Sequence, residues 1–298
     1  MKIIHCSDFH LGKKVNEFSM IEDQRYIIKQ ILDIIDEEQA DAIILAGDIY
    51  DKPVPPIEAV EIFDDFLYAM AQRNLPTFII SGNHDSAERI SFGSRLIAQR
   101  GIYLAPTYQG HMEAVTLEDE HGPIHFYMLP FIKPAHARRF FPDDDIISYT
   151  QGLHATIEAS EINPDERNIL IAHQFVTGAT TSDSERISVG GSDNVDAWVF
   201  DGFDYVALGH SHKAQRMAKD TIRYSGTPLK YSLSEIDHIK SLTVLEMGEK
   251  GDIHLSTRPL KPLRDIVSIR GKYQDLMAKT FYDHLNTDDY YEIILTDE

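Results

Sequence analysis

Five short apolar runs along the chain each end in a residue type that can bind a metal ion. The runs cover residues 3–7, 42–46, 77–81, 169–172 and 205–208. The candidate ligands that follow them are Asp8, His10, Asp48, Asn83, His173, His210 and His212. A single histidine at a strand end is more often a hydrogen-bonded structural residue. Five such ends instead predict one shared site, because open α/β sheets bind ligands at the carboxyl ends of their strands.

Helical spacing of apolar residues separates the first three runs. It predicts helices over about residues 19–38, 57–72 and 89–100. Ser19 and Glu22 fit a capping box at the start of the first of these helices. The resulting βαβαβα order predicts a parallel sheet that is covered by helices.

The rest of the chain predicts more strands than helices. A hairpin is expected over residues 114–129, and a helix is expected from Asp143-Asp144-Asp145 to about residue 161, with these carboxylates matched to the helix dipole. Further strands near residues 221–224, 242–247 and 253–258 extend the sheets into a sandwich. Prolines at 259 and 262 predict a linker between a domain of residues 1–260 and a short second domain of residues 261–298. The second domain is expected to contain a helix over 273–285 and a strand over 290–295, and to be truncated.

Composition narrows the class of protein. The chain has 298 residues, of which 43% are hydrophobic, but no apolar run approaches the length of a membrane span and no signal peptide begins the sequence. We therefore expect a cytoplasmic protein. The net charge of −20 argues against a generic nucleic-acid binder. Bound metal ions would, however, reverse the sign of the charge locally.

The candidate ligands comprise two carboxylates, one amide and four imidazoles, which is too many for one ion and suits two. Asp48 is the expected bridge between two ions, because Gly47 beside it allows the backbone to come close. Two cations about 3.5–4 Å apart activate a shared water for attack on a phosphoryl group. Nitrogen and oxygen ligands without thiolate favour manganese, iron or zinc over magnesium or calcium.

Other polar residues lie close to these ligands in the sequence. His84 is expected beside the metals, where it orients the phosphate or protonates the leaving oxygen, with Asp85 as its supporting partner. The alternative is a structural, hydrogen-bonded His84. A polar loop over residues 177–196, including Gly190-Gly191, is expected to lie near the substrate. Three basic residues follow the ligand motifs and are candidate contacts for a phosphate backbone, although such residues are more often solvated surface charges: Lys13, Lys14 and Lys213.

These motifs, taken in order, resemble the signature of the calcineurin-like metallophosphoesterases. Within that superfamily, residues 7–12, 47–51 and 81–86 are most similar to the SbcD-type nuclease subunits of bacteria, although Phe9 stands where those chains usually carry Trp. The resemblance implies a metallophosphoesterase β-sandwich flanked by helices, followed by the start of a small α+β capping domain. It also implies one ion held by Asp8, His10, Asp48 and His212, and a second held by Asp48, Asn83, His173 and His210.

The same resemblance implies a manganese-dependent exonuclease on double-stranded DNA ends and endonuclease on single strands and hairpins. Such enzymes act in DNA repair and recombination with an SbcC-like SMC-family ATPase. The resemblance further implies a homodimer through the helices after Pro56 and Arg89, and a sequence that normally continues past position 298 into DNA-capping and ATPase-binding segments. A hydrolase of small phosphodiesters or phosphomonoesters is the alternative, and a non-catalytic scaffold is a third possibility.

Overall fold

Two sheets packed face to face form the centre of the protein. The computed structural model describes residues 1–105, 107–185 and 193–297. Within these ranges the first sheet has six strands, in the spatial order Ile253–Pro259, Ser241–Met247, Lys2–Cys6, Ala42–Ala46, Thr77–Ile80 and Ile102–Leu104. The last four of these strands run parallel to one another, whereas the first two join antiparallel.

The second sheet also has six strands in the described part of the chain. Their spatial order is Gln215–Arg216, Ile222–Tyr224, Tyr205–Gly209, Arg167–His173, Gly122–Leu129 and Ala114–Asp119. The four inner strands are parallel, and the two outer strands pair antiparallel. The sheet therefore brings the carboxyl ends of Arg167–His173 and Tyr205–Gly209 side by side, with Gly209 paired to His173.

Helices cover the outer faces of this sandwich. The described α-helices are Ile21–Glu38, Ile57–Arg73, Ala87–Ile90, Ser94–Ile97, Pro134–Ala137, Tyr149–Glu158, Tyr273–Leu276 and Lys279–Tyr282. Short 3₁₀ turns are formed by Ala98–Arg100, Ala197–Phe200 and Leu233–Glu235. Two-stranded pairs are formed by Lys14–Val15 with Phe18–Ser19, Phe175–Val176 with Asn194–Val195, and Ile266–Gly271 with Tyr290–Leu295. No helix in these ranges is both long and apolar enough to cross a membrane.

Three apolar layers hold the architecture together. Alternate residues of strand Ala42–Ala46 face opposite ways, so that Ile44 packs between the sheets and Ile43 packs against the helices. Between the sheets the rings of Phe78 and Phe126 stack with their centroids 4.0 Å apart. All five residues of the strand are buried, as parallel strands covered on both faces require. The predicted α/β sandwich is confirmed.

Several predicted element boundaries are wrong for local reasons. The helix expected from Ser19 begins at Ile21 without a side-chain cap, because Ser19 belongs to a short strand pair. The helix expected over 89–100 is broken near Gly93, whose φ is 75°. The helix expected from Asp143 begins after Ser148, whose hydroxyl accepts the N–H of Gln151 as a cap.

The segment after residue 260 forms a small unit beside the sandwich. Its strands Ile266–Gly271 and Tyr290–Leu295 are parallel, and two short helices replace the single helix expected over 273–285. Arg264 pairs with Glu22, and the Tyr290 hydroxyl donates to Asp23 at 3.1 Å. Most side chains between residues 272 and 295 are exposed or half-buried, so this unit contributes little to the core.

Candidate metal centre

The carboxyl ends of the parallel strands from both sheets meet at one edge of the sandwich. Six of the seven candidate ligands are buried there, each at most 6% exposed, and Asn83 is half-buried. Ligand atoms of Asp8, His10 and His212 lie within 4.8 Å of one another, as do those of Asp8, Asp48 and His173. The structure therefore brings together the side chains that the sequence placed on separate strand ends.

Asp8, His10 and Asp48 reach the site through left-handed backbone, with φ of 55°, 44° and 48°. The spacing of Asp8 and His10, two residues apart, would predict one shared face of an extended strand, but the left-handed backbone shows that this prediction is wrong. Backbone bonds hold the turns, since Asp8 N–H donates to Gly47 O at 3.0 Å and His10 N–H donates to Asp48 O at 2.9 Å. Such strained conformations persist where the surrounding structure enforces them, typically at functional sites.

Glycine is required where the strand ends approach one another. A Cβ at Gly209 would lie 1.8 Å from the carbonyl oxygen of Ala46, and a Cβ at Gly82 would lie 2.1 Å from Oδ1 of Asp48. Both distances are far below contact, and the neighbouring atoms are backbone or candidate ligand. The close approach of the two sheets at this edge therefore depends on the absence of a side chain at these positions.

Asp48 lies between two sets of imidazoles. Its Oδ2 is 3.6 Å from Nε2 of His10 and 3.4 Å from Nε2 of His173. Its Oδ1 accepts the backbone N–H of His84 at 2.8 Å. This central carboxylate has the position that a bridge between two cations requires.

His10 and His212 face each other through nitrogen atoms. Their Nε2 atoms are 3.0 Å apart, and both rings are buried. Burial lowers the pKa of both imidazoles, which keeps these candidate ligands neutral near pH 7. Two neutral imidazoles pointed at one place, with the carboxylate of Asp8 beside them, form a donor set that fits a divalent cation.

A second set of donors surrounds Asn83. His173 donates from Nδ1 to the carbonyl of Ala46 at 2.8 Å, which leaves its Nε2 3.0 Å from Oδ1 of Asn83. Nδ1 of His210 lies 2.9 Å from the same oxygen, and its buried Nε2 has no hydrogen-bond partner among the described residues. Burial lowers the pKa of His210 to about 3. This group also fits a cation, with one amide oxygen and two imidazoles.

The electrostatics of the site favour positive charge. Burial would raise the pKa of Asp48, but the imidazoles of His173 and His10 hold it well below its usual range. Burial would lower the pKa of His173, but the carboxylates of Asp48 and Asp8 raise it to about 9. Burial raises the pKa of Asp8 to about 8. The donor types and their charges together indicate a dinuclear divalent metal site.

His84 lies beside the candidate ligands, but its partner is not the one expected. Ligand atoms of His84, His10 and Asp48 lie within 4.8 Å of one another. Nδ1 of His84 donates to the carbonyl of Asp51 at 2.9 Å, so the expectation that Asp85 supports this ring directly is wrong. Asp85 instead accepts three backbone N–H groups, from Ile49, Tyr50 and Gly82, and so fixes the loop. Burial raises the pKa of the Asp85 carboxyl to about 7.

The three candidate DNA contacts differ in environment. Lys13 is paired with Asp51, its Nζ lying 2.9 Å from Oδ1, and its side chain is only 14% exposed. Lys14 and Lys213 are exposed. Lys13 therefore belongs to the wall of the site, and the other two remain surface cations near it. The expectation for Gly190-Gly191 lies outside the described residues.

Sequence reasoning missed a group behind His212. Ser184, Glu235 and Lys240 contact this histidine or its backbone, and Glu235 and Lys240 are buried. They follow no apolar run and form no spaced motif. The polar loop over 177–196 indicated a segment near the ligands, but nothing in the sequence indicated Glu235 or Lys240.

Comparison with known proteins agrees with this geometry. The family model described as calcineurin-like phosphoesterase matches residues 1–214. The SbcD subunit of nuclease SbcCD from Staphylococcus epidermidis is 36% identical over 283 residues, covering 94% of this chain and 75% of that protein.

Two solved structures overlap with the chain more loosely. One is the protein TT1561 of Thermus thermophilus, with 11% identity over 86% of this chain and 98% of that chain, at a TM-score of 0.48. The other is a dimetal phosphatase from Danio rerio, with 12% identity over 88% of this chain and 98% of that chain, at a TM-score of 0.46.

The family assignment rests on the sequence matches, and the site geometry is consistent with it. The matched residues 1–214 include all seven candidate ligands. The buried donors form overlapping groups around Asp48, as hydrolysis by two metal ions requires. The chain belongs to the calcineurin-like phosphoesterase family and is a metal-dependent phosphodiester hydrolase.

Proposed function

We propose that the chain is a manganese-dependent DNA nuclease that acts at DNA ends and hairpins. The observation that supports this most strongly is the 36% identity to the SbcD subunit of a nuclease SbcCD over 94% of the chain. On double-stranded ends it acts as an exonuclease, and on single strands and hairpins it acts as an endonuclease. The biological setting proposed is DNA end processing, repair and recombination.

The proposed metal ligands form two sets that share Asp48. We assign one ion to Asp8, His10, Asp48 and His212, and the other to Asp48, Asn83, His173 and His210, in line with the observed distances. Two ions bound there would lower the pKa of a shared water and polarise the phosphoryl oxygen. The chain's contribution is to hold the imidazole, amide and carboxylate donors in place before substrate arrives.

His84 is the proposed proton donor or phosphate-orienting residue. The carbonyl of Asp51 fixes Nδ1–H, so Nε2 is the nitrogen available to the substrate. Asp85 supports it indirectly, because its bonds to three backbone amides hold the loop from which His84 projects. In its doubly protonated form, with Nε2–H as well as Nδ1–H, His84 can protonate the oxygen that leaves when the phosphodiester breaks.

Manganese is proposed by resemblance to the SbcD-type nucleases. The donor set is compatible with it, because a set rich in imidazole suits manganese, iron or zinc better than the harder magnesium ion. The protein should lose activity after removal of metal with a chelator, and Mn²⁺ should restore more activity than Mg²⁺. The rates are to be measured on one hairpin substrate with each ion added back separately. Full activity with Mg²⁺ alone would contradict the ligand assignment.

A homodimer is proposed through the helices that follow Pro56 and Arg89. Ile57 and Tyr68 on helix Ile57–Arg73 are 75% and 65% exposed. Phe92 and Leu96 are exposed even more, at 87% and 74%. Exposed large apolar side chains in these neighbouring helices support an interface between copies. Light scattering should give a dimer for the wild-type protein and a monomer for a Phe92→Ser/Leu96→Ser variant.

The domain division and the partner are part of the same proposal. We propose a phosphoesterase domain of residues 1–260 and the beginning of a DNA-capping domain over 261–298, which is consistent with the separate strand pair after residue 265. The proposed partner is an SbcC-like ATPase of the SMC family, by similarity to the SbcD subunit of nuclease SbcCD. By the same similarity the ATPase-binding segments lie past position 298, so ATP-dependent stimulation of duplex cleavage would support this part when it is measured with a chain that includes them.

The substrate class is tested with a panel of phosphate esters. End-labelled duplex DNA and hairpin DNA are compared with bis(p-nitrophenyl) phosphate and p-nitrophenyl phosphate in Mn²⁺. Cleavage of DNA is expected, and the Asp48→Ala variant serves as the control for a contaminating nuclease. Hydrolysis of the small esters without cleavage of either DNA would favour the alternative, a hydrolase of small phosphodiesters or phosphomonoesters.

A further inference from the structure

A buried hydrogen-bonded group lies behind His212, on the side of the imidazole that faces away from His10. Glu235 ends the turn Leu233–Glu235 and is 0% exposed. Its Oε1 is 3.3 Å from Nδ1 of His212. Oγ of Ser184 is 2.5 Å from the same nitrogen and also donates to Oε1 of Glu235. The imidazole is thus held from behind by a hydroxyl and a carboxylate.

The protons of this group can be assigned from its donors and acceptors. Ser184 has one hydroxyl proton, and an ionised Glu235 can only accept. Ser184 therefore donates to Glu235 and accepts from Nδ1–H of His212. This tautomer leaves a lone pair on Nε2 of His212, the atom that lies 3.0 Å from Nε2 of His10.

Lys240 keeps the buried carboxylate ionised. Its Nζ lies 2.5 Å from Oε2 of Glu235 and also donates to the carbonyl of His212 at 2.9 Å. Burial would raise the pKa of Glu235, but the bond to His212 and the charge of Lys240 hold it well below its usual range. Lys240 is 6% exposed, so this charge pair is shielded from solvent.

The same group also fixes the loop that carries Ser184. The N–H of Asp183 donates to Oγ of Ser234 at 2.9 Å. Glu185 accepts the backbone N–H of His212 at 2.8 Å through Oε1. Ser184 therefore reaches His212 from a loop that is tied to the turn of Glu235 on one side and to the backbone of His212 on the other.

We propose that Glu235, acting through Ser184, is a positioning residue that fixes the tautomer and orientation in which His212 binds a divalent ion. The inference rests on the proposed metal role of His212. Hydrogen bonds of this kind to the far nitrogen of a ligand histidine typically change metal affinity by about 10–100-fold when they are removed. Ser184 and Glu235 are neither metal ligands nor substrate contacts in this arrangement.

The test is Mn²⁺ binding to the full chain after removal of metal with a chelator, measured by calorimetry at neutral pH. Glu235→Gln keeps the size of the side chain but loses the charge. We expect one of the two ions to bind about 10–100-fold more weakly and the other to bind as in the wild type. Ser184→Ala should weaken the same ion, and Ser184→Thr, which keeps the hydroxyl, should restore its affinity.

Two further variants separate positioning from folding. Glu235→Gln leaves Lys240 as an unpaired buried charge, so Glu235→Gln/Lys240→Met is measured as well, because it removes both charges. Asp119→Asn is the matched control: it breaks the ion pair with the buried Arg167, at the opposite end of strand Arg167–His173. It should lower the melting temperature and leave both metal affinities unchanged.

The outcomes distinguish this inference from the metal centre itself. A folded Glu235→Gln/Lys240→Met protein that binds both ions with wild-type affinity would overturn the positioning role and leave the proposed function intact. A loss of thermal stability without any change in affinity would have the same meaning. A wild-type protein that takes up no divalent ion would overturn the metal centre and this inference with it.

Discussion

The two sheet edges that meet at the metal centre hold their side chains in different ways. On the edge of the first sheet, Asp8, His10 and Asp48 are placed by left-handed backbone. On the edge of the second sheet, His173 and His212 are oriented by hydrogen bonds at the ring nitrogen that faces away from the site. The first edge thus depends on main-chain conformation, and the second depends mainly on hydrogen bonds to the imidazole rings.

The length of the side chain explains this difference for the aspartates, whereas His10 is an imidazole that also lies on left-handed backbone. A carboxylate of aspartate is one carbon away from the backbone, so the main chain itself must turn toward the site. An imidazole reaches further and has a second nitrogen that a partner can fix. His210 is placed in both ways, because its φ is 105° and its Nδ1 contacts Asn83. Substitutions should therefore act differently on the two edges.

The largest effect is expected at Asp48, which is positioned by the first edge but contacts imidazoles from both. Asp48→Ala should lose both ions and reduce cleavage to background, because the carboxylate belongs to both ligand sets. His210→Gln, on the second edge, should lose one ion. Metal analysis of the purified proteins measures the difference, with Asp33→Ala on the surface of helix Ile21–Glu38 as control. Two ions retained in Asp48→Ala would remove its bridging role.

His84 tests whether an imidazole on the first edge works without binding metal. Its Nδ1 donates a hydrogen bond to the carbonyl of Asp51, as the histidines of the second edge do to their own partners. His84→Gln should keep both ions and near-normal DNA affinity while kcat falls by roughly 10²–10⁴-fold, the usual contribution of general acid catalysis. Single-turnover cleavage of a hairpin measures this. Loss of metal, or cleavage at the wild-type rate, would contradict the proposed role.

The pH dependence of metal binding reports on one titrating group from each edge, the carboxyl of Asp8 and the imidazole of His173. Burial raises the pKa of Asp8 to about 8, and Asp48 and Asp8 raise that of His173 to about 9 against the effect of burial. Both groups hold protons at neutral pH, and a divalent ion must displace them. Affinity should therefore rise with pH by roughly tenfold per unit for each group that is still protonated, and the slope should fall as the pH passes about 8 for Asp8 and about 9 for His173. Calorimetry in buffers of different ionisation enthalpy counts the protons, and a pH-independent affinity would refute the assignment.

The smallest effect is expected where the two edges touch. Gly209→Ala places a Cβ against the Ala46 carbonyl and should destabilise the fold by about 1–3 kcal/mol, the usual cost of overpacking. Gly202→Ala is the matched control, because no atom lies within 4 Å of the added carbon. Thermal unfolding of both metal-free proteins measures the difference. Equal melting temperatures for Gly209→Ala and Gly202→Ala would show that the two sheet edges can move apart without loss of stability.

The sequence predicted the sandwich and the clustered ligands because both follow from short-range signals. Apolar runs identify buried parallel strands, and a polar residue directly after each run falls at the same edge of a sheet. The conformation of Asp8 was not predictable in this way, since its left-handed φ is imposed by its bond to Gly47. Glu235 was missed because Ser184 and His212 lie 51 and 23 residues away in the chain and its residue type is common.

The helix boundaries also show what apolar spacing in the sequence cannot predict. Gly93 interrupts a segment with helical spacing, and the break leaves Phe92 exposed. Spacing alone registers the apolar positions on both sides of the break and therefore predicts one helix. Hydrogen-bond partners such as the Asp51 carbonyl for His84 are likewise decided by how loops meet in three dimensions, and a motif of four consecutive residues carries no information about them.

Strand Lys2–Cys6 has a consequence for how the protein is made. Ile4 pairs with Ile43 on one side and with Val244 on the other. During translation the second partner is synthesised about 240 residues after the first strand, which takes on the order of 10–50 s at about 5–20 residues per second. Throughout that interval the strand has an edge that its native neighbour cannot yet cover. Nascent chains of this enzyme must therefore pass through a stage in which a chaperone or a cotranslational contact has an open strand edge to protect.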